Sequence, residues 1–564
     1  MSEVSPENNR KGSDTAATGT NTAKSSWQSW FLQLHRPVLE NEESAWIWFD
    51  VANSCYATVA LATFLPLVLN SYASTHAWTT SGLVKPPSCG DLISPYSTSC
   101  IECRIGEGDL LCHGAGTGKT NCVDLTVPTI GGINPTSFAF LIISLSCISQ
   151  LITFALFGLH ADHTEKRREF LLASSLLGAG SIVLLAFFPK EEGSAKYILA
   201  ALVTIVSNTA FGLAQVFYNA YLPLIAKDKA AISGEDENEV ENSISSRALA
   251  GGYWAGVIGL ILSIGVLMMT GGMKKGATEY EISSSFRWAT VLSGIWWFIG
   301  TLLTIPRLQP RPSKEFIPFN WTYSLAAFGK TISFTYNKLP VTGCFMILYF
   351  FYSDGYSTIA GLGLLYARLD MCAETSTLFV VAMEAPLCAA FGNYLFLWIS
   401  RKYKLTNRTM VVAILCMVAV LPFWGLLGYV SNSIGFRNYW EVYLLGAWFG
   451  FCLGAIQNFS RTLFIELMPS SRENEYFAFY ELTDKGSSWL GPMVVSGLAA
   501  VGHGTLRLAF AYILLMTLVP AIFIHRLDLE AAKAALKEVE TEDQDNAKGT
   551  TIELVNKLQQ EAEI

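Results

Sequence analysis

Three ionisable side chains lie within stretches of about twenty residues that are otherwise apolar. They are Asp354, Glu384 and Arg461. A charge inside a membrane-spanning helix costs at least ~2.5 kcal/mol, so such a residue is expected to face a polar cavity or a partner of opposite charge. A guanidinium binds carboxylates, and a carboxylate binds ammonium groups or protons. The chemistry that these residues offer is the recognition of a charged solute.

Arg461 has the paired donors that suit a carboxylate, and Asp354 or Asp50 would face an ammonium group. A solute carrying both charges would satisfy this set. An alternative is that Arg461 pairs with Asp354 or Glu466 to hold two halves of the protein together, or lies too near the end of its helix to touch solute. Uncharged hydrogen bonds to the solute would come from Asn53, Gln215, Asn219 and Gln457.

Glu384 and Asp354 are candidates for proton coupling, since burial favours the protonated form of a carboxyl. A buried structural acid with a hydrogen bond explains Glu384 equally well. Asp484 and Lys485 are interpreted as a local ion pair near the membrane interface.

The composition is that of a polytopic membrane protein. Of 564 residues, 51% are hydrophobic and 15% are charged, and the mean hydropathy is +0.36. The formal net charge of −8 lies largely in the tail, where Asp528 to Ile564 contain ten acidic residues and four lysines. The acidity of the chain therefore does not indicate a nucleic-acid partner or an acidic partner for its core.

Twelve apolar stretches are long enough to cross a hydrocarbon core of roughly 30 Å as helices. The eleventh is interrupted by Pro492 and glycines, and broken helices of this kind are tolerated where neighbours satisfy the backbone. The predicted spans are 46–70, 137–159, 169–189, 196–224, 247–270, 286–306, 340–366, 375–399, 409–430, 438–464, 484–502 and 506–525.

Basic residues cluster in the even-numbered connections, which places those connections and both termini in the cytosol. The clearest cluster is the polar turn Gly158 to Arg168, between the second and third spans. Its glycine, acid and basic pair resemble the loop between helices 2 and 3 of the major facilitator superfamily. We interpret Gly158, Asp162, Lys166 and Arg167 as gating residues.

The first non-cytosolic loop, 71–135, contains five cysteines: Cys89, Cys100, Cys103, Cys112 and Cys122. Two disulfides with one thiol left over are the favoured interpretation, and a zinc site is the alternative. The run Gly114 to Thr120 looks like a phosphate-binding loop, but His113 occupies the position of its first glycine. Neither a metal cluster nor a nucleophile arrangement indicates an enzyme, and no cofactor is predicted.

The two halves of the chain contain matching segments, as parallel six-helix repeats require. Tyr56 to Ala60 matches Tyr356 to Ala360, and Gly212 to Asn219 matches Gly454 to Arg461. This predicts an all-α fold of major-facilitator type, with two six-helix bundles and a solute site between them near mid-membrane. Tyr56 and Tyr356 join the candidate solute ligands on this basis.

Several short segments together resemble a narrower family, the autophagy-related vacuolar effluxers. The matching segments are Trp46-Ile-Trp-Phe-Asp50-Val-Ala-Asn53-Ser, Phe217-Tyr-Asn219-Ala-Tyr-Leu-Pro223, Ser245-Ser-Arg247 with Gly251-Gly-Tyr253, Ser353-Asp354-Gly355, Ser460-Arg461-Thr with Met468-Pro469, and Lys485-Gly-Ser-Ser-Trp489-Leu-Gly-Pro492. The resemblance implies a protein of the vacuolar membrane that exports amino acids, released by autophagic breakdown, to the cytosol. The cysteine-containing loop departs from what we expect throughout the family.

The sequence therefore predicts a transporter whose partners are a small solute, the lipid bilayer and, as a coupling ion, the proton. The rivals are a facilitator for another organic solute and a non-transporting sensor whose acidic tail recruits proteins. The predicted organisation is a disordered cytosolic tail with a short interfacial helix (1–45), a first bundle (46–306), a cytosolic linker (307–339), a second bundle (340–525) and an acidic cytosolic tail (526–564).

Overall fold

The structure is a computed structural model, and its description covers residues 42–81, 105–106, 109–113, 119–121, 135–162, 166–188, 196–274, 279–310, 321–369, 375–430, 433–436, 438–470, 472–488, 490–501 and 506–541. The predictions for the N-terminal tail, for the side chains of the five loop cysteines and for the end of the acidic tail lie outside the described residues.

The described chain is almost entirely helical. Its helices are α1 (Glu42–Cys55), a π-helical stretch (Tyr56–Phe64), α2 (Leu65–Ser81), α3 (Pro135–Asp162), α4 (Arg167–Leu184), α5 (Lys196–Asn219), α6 (Leu222–Ser233), α7 (Glu237–Met269), α8 (Glu279–Thr304), α9 (Trp321–Lys338), α10 (Pro340–Leu369), α11 (Thr375–Tyr403), α12 (Asn407–Leu427), α13 (Tyr439–Glu466), α14 (Glu473–Ser487), α15 (Leu490–Val501), α16 (Ala509–His525) and α17 (Leu529–Thr541). Short 3₁₀ turns follow α4 and α8 and precede α16.

A small antiparallel sheet lies in the cysteine-containing loop, with the strand order β1 (Ile105–Gly106), β2 (Asp109–His113) and β3 (Lys119–Asn121). In its register Ile105 is opposite Leu110, and Leu111 is opposite Asn121. The all-helical prediction therefore applies to the membrane part of the chain.

A helix occupies each of the twelve predicted spans. Among the described residues, nine helices are long and apolar enough to cross a membrane, and the bent pair α16 and α17 makes a tenth. The predicted spans 340–366 and 484–502 are helical as α10 and α15, but they are not among these ten. The count of twelve is thus not confirmed in full. The eleventh span is divided between α14 and α15, as its proline and glycines predicted.

The helices pack into two groups. In the first group, α1 to α8, helix α1 packs on α7 and α8, and α5 packs on α3 and α4. In the second group, α10 to α17, helix α13 packs on α11 and α12, and α16 packs on α10 and α12. The groups meet where α7 contacts α11 and α13, and where α14 contacts α3 and α5. The predicted domain boundaries stay a prediction.

Chain direction brings the starts of α1, α7, α12 and α14 to the same side of the bundle as the ends of α3, α11 and α13. We call this side the basic face, because it carries the turn that ends in Lys166, Arg167 and Arg168. In the first group, Trp46 fixes α1 at this face. Its ring stacks on Tyr218 with 4.3 Å between centroids, and its indole N–H donates to the Tyr218 carbonyl at 2.8 Å.

Helices α11 and α13 approach each other closely because α13 presents glycine at the contact. A Cβ at Gly450 would lie 2.4 Å from the Ala385 carbonyl oxygen, and one at Gly454 would lie 2.4 Å from that of Ala389. Small residues allow this kind of backbone approach between membrane helices. The contact holds α13 rigidly over its last turns, where Arg461 lies.

At the opposite face, Arg507 ties three segments of the second group together. Its Nη1 donates to the carbonyl oxygens of Gly425 at 3.0 Å and Gly435 at 2.7 Å, and its Nη2 donates to the Tyr366 hydroxyl. These bonds join the end of α12 to the loop that follows it and to α10.

We expect Arg507→Ala to lower the melting temperature of the detergent-purified protein by several degrees. The change removes the arginine donor from the buried Gly435 carbonyl, and a buried polar group left unsatisfied costs about 1–3 kcal/mol. Arg526→Ala, which removes an exposed arginine, is the matched control. Equal melting temperatures for the two variants would contradict this role of Arg507.

Candidate solute passage between the helix groups

Arg461 lies at the contact between the helix groups. It precedes the end of α13 by five residues, about 7.5 Å at 1.5 Å per residue, and it is 8% exposed. Its Nη1 donates to Ser245 Oγ of α7 at 3.5 Å. Among the described residues it forms no ion pair, so the predicted pairs with Asp354 and Glu466 are not present. A guanidinium has five N–H donors, so several remain for a ligand.

Asp50 approaches the same position from the first group. It lies one helical turn after Trp46 and is 3% exposed, and its Oδ2 has no hydrogen-bond partner among the described residues. Arg461 is the cation that acts on it electrostatically. A buried carboxylate oxygen without a donor is rare in proteins, and here it faces α7 at Gly252, at the contact of α1 with α7. Asp50 and Arg461 are thus complementary charges from opposite groups.

Helix α14 adds three charged residues that the sequence analysis did not place in the site. Glu481 is 8% exposed and accepts from Asn219 Nδ2 of α5 at 3.0 Å, across the contact between the groups. Asp484 and Lys485 form the predicted ion pair at 2.9 Å. The signal was present in the sequence, because positions i, i+3 and i+4 share one face of a helix.

We call the contact between the two helix groups around Arg461 the passage. The Asp484–Lys485 pair belongs to the passage rather than to a membrane interface. Asp484 Oδ1 accepts from the Tyr349 hydroxyl at 3.2 Å and from the Ser353 hydroxyl, both on α10. Lys485 acts electrostatically on Glu481 and on Tyr356. The charged face of α14 is therefore directed at the same region as Arg461.

Gln457 connects the two groups through tyrosine hydroxyls. Its Nε2 donates to Tyr356 Oη at 3.4 Å, and its Oε1 accepts from the hydroxyl of Tyr253 on α7. The structure thus brings two predicted ligands, Gln457 and Tyr356, together at the passage. Tyr253 is a further polar residue of the site that sequence analysis missed as a ligand.

We call Asp50, Arg461, Glu481, Asp484 and Lys485 the charged cluster. Asp354 does not belong to this cluster. Its Oδ1 accepts from the Gly491 N–H at 2.8 Å, and its Oδ2 accepts from the Tyr512 hydroxyl at 2.6 Å. Both oxygens are therefore used to hold α10 against α15 and α16 within the second group. The structure gives Asp354 a role in packing rather than the free carboxylate that a ligand role requires.

The remaining predicted ligands divide between the passage and the interior of the first group. Gln215 Nε2 donates to Asn53 Oδ1 at 3.5 Å, which joins α5 to α1 close to Asp50. Tyr56 instead lies inside the first group, where its hydroxyl accepts from Ser207 Oγ at 3.1 Å and its ring stacks on Trp297. The structure does not bring Tyr56 to Arg461.

Glu384 lies on α11 beside Gly446 of α13. Its Oε2 is buried and has no hydrogen-bond partner among the described residues. An apolar cavity of about 90 Å³ opens next to it between α10, α11 and α13. The structure does not place Glu384 in contact with the charged cluster.

Two seams close the basic face beneath the cluster. In the α14 seam, Gly158 packs so closely on Ala478 that a Cβ would lie 2.4 Å from the alanine methyl group. Arg167 Nη2 and Glu473 Oε2 form a buried ion pair at 3.2 Å. Gly158 and Arg167 thus lie at the contact between α14 and the first group, and their gating role stays a prediction. Lys166 is exposed, and the Asp162 side chain lies outside the described residues.

The second seam, which we call the amide seam, joins α7 to the second group through uncharged side chains. Asn242 Nδ2 donates to Asn407 Oδ1 at 2.7 Å, and Asn242 Oδ1 accepts from Thr462 Oγ1 at 2.9 Å. Ser246 Oγ donates to Asn393 Oδ1 at 2.9 Å. Asn407 in turn donates to Glu466 at the end of α13.

Within the described residues no group of histidine, cysteine and acidic side chains could hold a metal ion. The zinc and disulfide alternatives for the loop cysteines concern side chains outside that part of the chain.

Two groups of membrane-crossing helices that meet at charged residues form a fold of major-facilitator type, which solved structures of membrane transporters share. The human organic anion transporter MFSD10 matches with a TM-score of 0.58 at 12% identity, over 86% of this chain and 98% of that one. The major facilitator superfamily proton:xylose symporter XylE matches with a TM-score of 0.50 at 11% identity, over 86% of this chain and 96% of that one.

The chain belongs to the family described as "Vacuole effluxer Atg22 like", whose profile matches residues 40–537. Autophagy-related protein 22 of Coccidioides immitis is 27% identical over 89% of each chain. The protein is therefore a multi-pass transporter of the vacuolar membrane, and its family and fold are those of transporters rather than enzymes. The resemblance to the vacuolar effluxers and the major-facilitator fold class, both predicted from sequence, are confirmed.

We expect Asp354→Asn to reduce thermal stability while leaving the affinity for the transported solute within about twofold. The asparagine amide group would face one of two donors that now point at a carboxylate, at a cost of about 1–3 kcal/mol. Melting in detergent and the KM of transport measure the two effects. A variant with unchanged melting temperature and abolished solute binding would return Asp354 to the set of ligands.

We expect Arg167→Ala to open the basic face, because removing one partner of a buried ion pair costs about 3–5 kcal/mol. A cysteine introduced as Ala478→Cys should react at least tenfold faster with a membrane-impermeant thiol reagent in this variant. The same protein without Ala478→Cys gives the background from native cysteines. The exchanged pair Arg167→Glu with Glu473→Arg should slow the reaction again, and equal rates in all backgrounds would rule out this seam as a gate.

Proposed function

We propose that this transporter exports amino acids from the vacuolar lumen to the cytosol by alternating access, with the zwitterion held between Arg461 and Asp50. The observation that carries the proposal is the pair of complementary buried charges from opposite groups. Within the described part of the chain Arg461 has one long hydrogen bond and no ion pair, and Asp50 has a buried oxygen without a donor. A solute carboxylate binds the remaining donors of Arg461, and a solute ammonium group binds the Asp50 oxygen.

The surroundings favour a zwitterion over a solute with a single charge. A solute that occupied only one side would leave the other buried charge without its partner, which costs more than leaving a neutral group unpaired. The amides of Asn53, Gln215 and Gln457 lie around the two charges and can bond polar atoms of the solute. Selection by charge at the backbone of the amino acid leaves the side chain free to vary.

The closed seams fit the loading step of export. With both termini and the basic face in the cytosol, the amide seam and the α14 seam block release to the cytosol while the solute loads from the lumen. Separation of the seams and approach of the groups at the other face would then release it to the cytosol, by rocking of one group against the other. The lumen is the compartment in which autophagic breakdown produces amino acids.

We expect purified protein in proteoliposomes to exchange leucine or lysine, and Arg461→Ala to lower this exchange at least tenfold. Hydrogen bonds to a charged group contribute about 1.5–3 kcal/mol each, which corresponds to roughly a tenfold to hundredfold loss. Arg526→Ala, at an exposed position, should exchange at the parent rate. Exchange that is absent from the unmodified protein for every amino acid in a panel would refute amino-acid transport.

Analogues of leucine separate the roles of the two charged residues. Leucinol lacks the carboxylate and 4-methylvalerate lacks the ammonium group, so each should compete at least tenfold more weakly than leucine. In Asp50→Asn the difference between leucine and 4-methylvalerate should shrink to less than threefold. Competition by uncharged or organic-acid solutes that exceeds that of leucine would favour a facilitator for another solute.

Deletion of residues 542–564 distinguishes transport from a scaffold role of the acidic tail. Helix α17 must be kept, because Ala532, Leu536 and Val539 are buried against the second group. We expect the truncated protein to retain most of its exchange activity. A truncation that left exchange intact but abolished the effect of the protein on vacuolar amino-acid content would support the scaffold instead.

A further inference from the structure

We propose that Glu481 is the proton-binding residue of the passage, and that a solute carboxylate at Arg461 drives its protonation. This inference rests on the proposed function and adds the coupling ion to it. It assigns proton binding to Glu481 instead of Asp354 and Glu384, the two acids indicated by sequence.

Glu481 lies at the contact between the two helix groups. It lies eight residues after the start of α14, about 12 Å from that end, and it is 8% exposed. Its hydrogen bond to Asn219 at 3.0 Å crosses from the second group to the first. Rocking of the groups must lengthen or break this bond, so the surroundings of the carboxyl change with each transport cycle.

The charged groups around Glu481 come from two helices. Lys485 of α14 attracts its negative charge, Asp484 of α14 repels it and so offsets Lys485, and Arg461 of α13 adds a further attraction. Tyr356 of α10 and Tyr480 of α14 lie within electrostatic reach, and Cys147 of α3 lies near Asp484 and Lys485. With the acids and bases charged, Asp50, Glu481 and Asp484 outnumber Arg461 and Lys485 by one.

Lys485 is already committed to Asp484 by an ion pair at 2.9 Å. Arg461, which has no ion pair among the described residues, is therefore the cation on which a charged Glu481 depends. Burial in a medium of low dielectric constant disfavours a carboxylate, whereas a nearby cation favours it. The charge of Glu481 is thus sensitive to whatever else Arg461 binds.

A solute carboxylate at Arg461 competes with Glu481 for the same positive charge. When it binds, Glu481 loses its compensation and takes a proton from lumenal water, so that an O–H bond forms on the carboxyl group. The proton travels with the zwitterion and leaves to cytosolic water after the solute has gone. One proton accompanies each carboxylate. The zwitterion itself adds no net charge, so the proton neutralises the one excess negative charge of the cluster on loading.

The other two acids lack this arrangement. Asp354 already accepts hydrogen bonds at both oxygens, and neither donor comes from the first group. Glu384 lies beside Gly446 and an apolar cavity, away from Arg461. Neither carboxyl shares a cation with the solute, so solute binding does not change its surroundings in the same way.

Coupling is reciprocal, so protonation of Glu481 must raise the affinity for the carboxylate by the factor by which the carboxylate favours protonation. Uptake of one proton corresponds to an affinity that rises up to about tenfold for each pH unit of acidification. In Glu481→Gln, a neutral isostere that can still accept from Asn219, the affinity should be independent of pH.

The test uses the full chain in proteoliposomes with radiolabelled leucine. We expect Glu481→Gln to lose accumulation driven by a pH gradient at least tenfold more strongly than it loses leucine counterflow. Glu538→Gln removes an exposed carboxyl of α17 and should behave as the parent in both assays. Glu384→Gln should keep driven accumulation.

Each result decides between the proposals. A parent without leucine counterflow overturns the proposed function and this inference with it. A parent with counterflow whose Glu481→Gln variant still accumulates leucine on a pH gradient overturns this inference alone, as does loss of coupling in Glu384→Gln only. If Glu481→Gln fails to fold, leucine is added to the unmodified protein in weak buffer with a pH dye, where uptake of about one proton per leucine supports the proposal and no uptake overturns it.

Discussion

Arg461 carries a positive charge to the point where α7, α13 and α14 meet, and a buried charge is costly unless an opposite charge lies near it. Its helix cannot move aside, because Gly450 and Gly454 bring α13 into direct contact with the backbone of α11. The compensation must therefore come from Asp50, from Glu481 or from a ligand. Most of what we assign to the passage follows from this need. A solute carboxylate binds at Arg461, and its binding changes the protonation of the nearby Glu481.

The same need explains why the charges come from different groups. If Arg461 had a permanent partner on its own helix group, solute binding would gain little and the groups would be free to separate without consequence. Instead Asp50 comes from α1 and the amide partner of Glu481 comes from α5. The state of the contact between the groups and the charge state of the site are therefore linked by geometry, which is what a coupled transporter requires.

Much of the architecture is predictable from sequence, because hydrocarbon leaves helices as the practical way to satisfy a crossing backbone. The twelve helical segments and the broken eleventh span follow from apolar length and from the position of Pro492. The site was harder to predict. Asp354 is an acid within an apolar span, which is typical of a ligand. Only the three-dimensional structure reveals that its two oxygens accept hydrogen bonds from Gly491 and Tyr512.

Glu481 was missed for the opposite reason. It lies in Glu473–Ser487, a segment with six charged or amide side chains among fifteen residues, so hydropathy assigns it to a connection rather than to a span. Helix α17 was likewise taken for an acidic tail, although Ala532, Leu536 and Val539 form a buried stripe at helical spacing. In both helices the polarity averaged over the segment does not distinguish one face from the other. It therefore did not reveal the charged face of α14 or the packing face of α17.

The amide seam has a consequence for the conditions in which the transporter works. Dissolved ions screen interactions between exposed charges over about 8 Å at physiological ionic strength, but they leave hydrogen bonds between neutral amides and hydroxyls almost untouched. Asn242, Asn393 and Asn407 carry no charge, and the Arg167–Glu473 ion pair of the α14 seam is buried. A gate built in this way stays equally tight when a cell swells, shrinks or exchanges salt with its surroundings.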